Sequence, residues 1–180
     1  MTLYFLALVL PSGLNEKVLP YKEMMREKFN CHVGLKSPAH VTIVPPFWMD
    51  ADNEQQLLED ADSLCTGIAP FKMVTDDFSA FKPRTIFIAL KPNEEAAHVK
   101  KSADVFFSDR APYEMKRETR PFHPHITIAT RDLYKRAFAE AWSYFEKEQF
   151  REEWLMDGLS ILRHNKKNWD VIHTSQFKNL

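Results

Sequence analysis

Two four-residue segments of this chain, His40-Val41-Thr42-Ile43 and His125-Ile126-Thr127-Ile128, repeat one pattern at positions 85 apart (125 − 40). Successive side chains of a strand point to opposite faces, so each segment sets His and Thr on one side and two aliphatic residues on the other. The aliphatic side needs a core behind it, and the His/Thr side needs a wetter surface in front. Meeting that requirement once in each half calls for two half-buried strands whose polar faces can line one cleft.

The surrounding sequence supplies elements for such an arrangement. The apolar run Leu3 to Val9 reads as a buried strand. It lacks a basic flank, Pro11 interrupts it and no small-residue cleavage site follows, which argues against a secretion signal, and it is too short to cross a bilayer as a helix. Helix-like spacing predicts a helix within Leu14 to Phe29, with Pro20 favouring a start near that residue. Cys31 to Leu35 reads as a short extended piece, and the first tetrad's strand is expected to stop at Pro45-Pro46. Further helices are predicted over Asn53 to Cys65, from Asn93 to about Phe107, and over Asp132 to Gln149. Further strands are predicted at Phe71 to Phe78, Thr85 to Leu90, Trp154 to Leu162 and Trp169 to Phe177, with a charged, proline-containing loop over Ser108 to Pro124.

A length of 180 residues with 44% hydrophobic residues can bury a core as one domain, 1–180, without staples. A formal charge of −1 argues against extended binding along a DNA backbone, whereas a small phosphorylated ligand needs only a local cationic patch. Cys31 and Cys65 have neither zinc-site spacing nor the density of a disulfide scaffold, so a reduced, cytoplasmic setting is expected.

The tetrads carry residue types suited to phosphodiester chemistry. Imidazole titrates near pH 6.5, so of two histidines in one cleft one can accept a proton while the other donates. A threonine hydroxyl beside each can donate to a non-bridging phosphoryl oxygen. His40 and His125 are therefore the candidate catalytic pair, and Thr42 and Thr127 the candidate phosphate-binding pair.

With this duplicated His-x-Thr-x element, the chain resembles the two-histidine (2H) phosphoesterase superfamily, which includes bacterial 2'-5' RNA ligases and RNA cyclic phosphodiesterases. The resemblance extends over the order of elements from Leu3 through Phe177. It implies an α/β (α+β), bilobal fold with pseudo-twofold symmetry, antiparallel sheets lining a central cleft and helices on the outer faces. It also implies a site of His40, Thr42, His125 and Thr127 that works without a metal or other cofactor. The implied substrates are 2',3'-cyclic phosphate ends of RNA or nucleotides, or related 2'-5' phosphodiesters. A module that binds RNA ends or cyclic nucleotides without turning them over is the alternative, and no membrane or obligate protein partner is expected.

Around this site, Arg120 is the first candidate to reach a phosphate, with Arg117 and Lys116 behind it, and Phe122 offers a face to a base. Tyr4 and Phe81 are candidates for stacking on a base, and Arg84 with Lys82 for lining the opposite side. Trp169 is expected in the core or at its edge. His-Pro-His at 123–125 is not a zinc spacing and has no nearby cysteine to complete a ligand set.

Overall fold

The computed structural model describes residues 1–108, 110–113, 115 and 119–179; Lys116 and Arg117 lie outside the described residues. In chain order it forms β1 (Thr2–Val9), α1 (Ser12–Phe29), β2 (His40–Met49), α2 (Glu54–Cys65), β3 (Phe71–Phe81), β4 (Thr85–Leu90) and α3 (Glu94–Phe107). There follow β5 (His125–Ala129), α4 (Phe138–Ser143), β6 (Glu153–Met156), β7 (Gly158–His164) and β8 (Trp169–Gln176). The strands join in one antiparallel sheet of order β6-β3-β4-β5-β2-β1-β7-β8.

That order reads as two four-stranded halves meeting at β5 and β2. The units β1-α1-β2 and β4-α3-β5 are equivalent, and the halves join through the pair Val41↔Ile126. Those residues occupy the same position in the two tetrads, so a pseudo-twofold axis passes through the pair. α1 packs on β5 and α3 on β2, so each helix lies behind the other half's central strand.

One face of the sheet is covered and the other open. Tyr4, Leu6 and Leu8 of β1 enter the main core with Val41, Ile43, Ile126 and Ile128, and the helices add Leu14, Val18, Leu57, Val99 and Phe107. The opposite side of β1 presents Phe5 and Ala7, which form a small separate cluster with Leu162, Val9 and Trp169. The strand alternation read from sequence thus separates a helix-backed core from a cleft face.

Several elements differ from the sequence expectation for identifiable reasons. α1 begins at Ser12 and runs through Pro20, because Pro20 lies on the exposed side, where water can satisfy the carbonyl its ring leaves without a donor. β2 continues past Pro45-Pro46 to Met49. There Leu6 pairs with Val44 and Tyr4 with Phe47, so a bulge opposite Phe5 takes both prolines out of the ladder. Cys31 to Leu35 is not extended: Val33–Lys36 forms a 3-10 turn. Its Gly34 is obligatory, since a Cβ there would stand 2.3 Å from the Ile128 carbonyl oxygen. Asp132 to Gln149 contains only a 3-10 turn, Lys135–Ala137, and the short α4, while β3 extends to Phe81 and Asp157 splits the predicted 154–162 strand into β6 and β7.

Candidate active site

His40 opens β2 and His125 opens β5. Continuing the Val41↔Ile126 register by one residue each way sets His40 opposite Thr127 and Thr42 opposite His125. Directly opposed residues of an antiparallel pair have Cβ atoms about 5 Å apart, so the four side chains form a compact polar square around the axis. All four are partly exposed, while Val41, Ile43, Ile126 and Ile128 are buried.

The two imidazoles are oriented in the same way. His40 Nδ1 lies 2.7 Å from the Pro38 carbonyl oxygen, and His125 Nδ1 lies 2.7 Å from the His123 carbonyl oxygen. A carbonyl oxygen only accepts, so Nδ1 carries the hydrogen in both rings and Nε2 is left with its lone pair. Each ring also packs on a phenylalanine of the adjoining strand, Phe5 of β1 for His40 and Phe87 of β4 for His125, with centroids 5.0 Å apart in both cases. Phe81 adds an edge contact to His125 at 5.2 Å.

Burial, more than any charge, holds both histidines on the neutral side. It pushes His40 down from 6.5 to about 4, with further lowering by the charges of Lys22 and His125 and partial opposition from the Pro38 hydrogen bond. His125 is lowered as well, first by burial and then by the charge of His123, against the pull of its own carbonyl bond. Neutral rings at neutral pH suit a site that receives an anion and protonates one imidazole as it binds.

Two cavities flank the square and share Thr42. One, of about 370 Å³, is lined by His125 with Phe81, Lys100, Arg120 and Phe122. The other, of about 150 Å³, is lined by His40 and Thr127 with Gly34, Ser37, Arg131 and Trp169. A third, of about 400 Å³ between the end of β2 and α3, meets the first at Pro45 but contains neither histidine nor threonine. Among the described residues, no group of three or more His, Cys, Asp or Glu could hold a metal ion.

The structure thus brings His40, Thr42, His125, Thr127, Arg120 and Phe122 together. It does not bring Tyr4 or Arg84. Correcting the expectation of a stacking contact, Tyr4 is completely buried on the helix side of β1. Its hydroxyl donates to Glu54 Oε2 at 2.9 Å, and Glu54 also pairs with Arg163, an arrangement that ties the start of α2 to the sheet. Arg84 is exposed in the turn between β3 and β4 and lines neither cavity flanking the histidines. Phe81 does reach the His125 cavity, as sequence suggested. Trp169 stands at a core edge, as expected, packing on Phe5 at 4.6 Å, and it also walls the His40 cavity. The signal for it lay in strand alternation on β1, which puts Phe5 on the open face, where it needs an apolar cover.

A duplicated His-x-Thr strand at the junction of two pseudo-symmetric half-sheets, with both imidazoles tethered through Nδ1, defines a two-histidine phosphoesterase. The chain belongs to the 2'-5' RNA ligase superfamily, whose family model matches residues 16–168. It is 26% identical over 155 residues to the putative phosphoesterase OB1230 of Oceanobacillus iheyensis, covering 83% of this chain and 85% of that one. In fold it is similar to TT0787 of Thermus thermophilus, with a TM-score of 0.70, 18% identity and 98% of both chains covered. It is similar also to E. coli LigT in its apo form, with a TM-score of 0.64, 14% identity and 98% of both chains covered.

Proposed function

We propose that this protein is a metal-independent cyclic phosphodiesterase that opens 2',3'-cyclic phosphate ends of RNA or nucleotides, or cleaves a related 2'-5' phosphodiester. The observation that carries this reading is the pair of His-x-Thr faces with both Nδ1 atoms committed to backbone carbonyls, which leaves two Nε2 atoms for two proton transfers. E. coli LigT has been crystallised with 3'-AMP, NADP+, ATP and phosphate, ligands that share a phosphate and, in three cases, a nucleoside. Here Arg120 and Phe122, beside His125, are suited to the phosphate and the base of such a ligand.

In hydrolysis, one neutral imidazole takes a proton from water as the water oxygen bonds to phosphorus. The bond from phosphorus to one ribose oxygen breaks, and the other histidine, protonated on substrate binding, gives that oxygen its proton. Thr42 and Thr127 donate to the non-bridging oxygens, where negative charge concentrates. The products are a phosphomonoester and a free ribose hydroxyl; in ligation a 5'-hydroxyl takes the place of water on the same path, and a phosphodiester forms instead of the monoester. No helix among the described residues is long and apolar enough to cross a membrane, and both cysteines are free and buried. A cytoplasmic location fits these features.

The test is a panel of 2',3'-cyclic nucleotides, RNA cyclic phosphate ends and 2'-5' dinucleotides incubated with the protein in chelator. Product formation is the expected result. Tight binding without product on every member would instead mark a binding module.

A further inference from the structure

The pseudo-twofold axis relates the two histidines, but it does not relate their surroundings on the helix side. α1 and α3 each bury one lysine toward the cleft strands, Lys22 and Lys100, at 5% and 7% exposure. Lys100 Nζ is neutralised by Asp104, 2.5 Å away one helical turn on. Lys22 has no carboxylate within ion-pair distance among the described residues, and its Nζ donates to the Ser37 carbonyl oxygen at 3.2 Å. A buried cation without a counter-ion is costly, and a fold that keeps one beneath a catalytic pair has a use for its charge.

Lys22 also belongs to a clamp. On the same helix, Asn15 Oδ1 accepts from the Ala39 amide at 2.6 Å, and Asn15 Nδ2 donates to the Leu10 carbonyl at 2.9 Å. Lys22 and Asn15 therefore hold Ser37 and Ala39, the residues on either side of Pro38, whose carbonyl sets the ring of His40. On the His125 side, the buried lysine of α3, Lys100, is turned to Asp104.

We propose that Lys22 is a positioning residue for His40 alone of the two histidines: with Asn15 it fixes the Ser37–Ala39 segment that orients the ring, and its buried charge disfavours a second positive charge there. The charge of Lys22 acts on His40, and burial lowers Lys22 itself only to about 8, so it still carries its proton at neutral pH. The other titratable or charged groups around His40 are His125 of β5, Arg131 of the turn after β5 and His164, which lies behind Trp169. Asp132 is close in sequence, but its Oδ2 accepts from the His32 and Val33 amides. The consequence for turnover rests on the proposed hydrolytic function, whereas the effect of Lys22 on His40 does not.

The test uses Lys22→Gln, which keeps a donor for Ser37 but removes the charge, with Lys22→Met, which removes both, and Lys22→Arg, which keeps the charge. Ring titrations by NMR on the ligand-free protein are expected to show His40 rising by roughly one unit in the Gln and Met variants and holding in the Arg variant, with His125 steady in all. In turnover, one limb of the kcat/KM profile, the one set by His40, moves up by the same amount and the other stays. An unmoved His40 in a folded Gln variant would overturn the proposal, and so would a matching rise of His125. If the wild type turns over no member of the substrate panel, the proposed function fails, and the ring titrations still decide whether Lys22 controls His40.

Discussion

At the scale of single residues, the lowered pKa of His40 has a consequence for stability that can be worked out with its sign. The unfolded ring titrates near 6.5 and the folded one at about 4. Between those values the unfolded chain binds the extra proton, so stability falls as pH drops through that window and levels off below it. Urea melts at pH 7 and pH 4.5 are expected to show that loss in the wild type and a smaller one in His40→Asn. Thr42→Val and Thr127→Val keep shape but lose a donor, and each is expected to cut kcat on the order of 100-fold with little change in melting temperature. Tyr4→Phe should do the reverse, costing about 1 kcal/mol of stability through the lost Glu54 bond while turnover holds. The four candidate site residues, which the structure brings onto one face of adjoining strands, were legible in sequence because alternation is a local property. Tyr4 looks like a stacking residue only when taken alone: by strand alternation it shares its face with Leu6 and Leu8, and that face is the covered one.

At the scale of elements, the most constrained piece is the 3-10 turn Val33–Lys36, which lies against β5 beside the His40 cavity. Gly34 sits against the Ile128 carbonyl, and Asp132 Oδ2 accepts from both His32 and Val33 amides at 2.6 and 2.8 Å. Gly34→Ala must push this turn away from β5, and a loss of roughly 1–3 kcal/mol is expected in urea melts, with reduced turnover from the displaced Ser37–His40 segment. A short 3-10 turn leaves no periodic trace, which is why the segment reads as extended from sequence. The prolines misled in the same local way. Pro20 and Pro45-Pro46 are read as breaks from their own chemistry, but which side of α1 faces water, and where β2 carries a bulge, are settled only by the packed neighbours.

At the scale of the whole molecule, the site exists because two half-sheets join at a single residue pair. Each half contributes one His-x-Thr pair, and neither half alone supplies both pairs. The repeat of the tetrad showed this duplication in sequence, and the order of elements agreed with it. What sequence did not show was how distant segments close the cleft, with Trp169 from the last strand covering Phe5 of the first. The central claim is that both histidines act, one from each half. The measurement that tests it most directly is hydrolysis of a 2',3'-cyclic phosphate substrate, in chelator, by wild type, His40→Ala and His125→Ala. Wild-type product formation with a loss of roughly 100- to 10,000-fold in each variant is the predicted result, and near-wild-type turnover by either folded variant would contradict it.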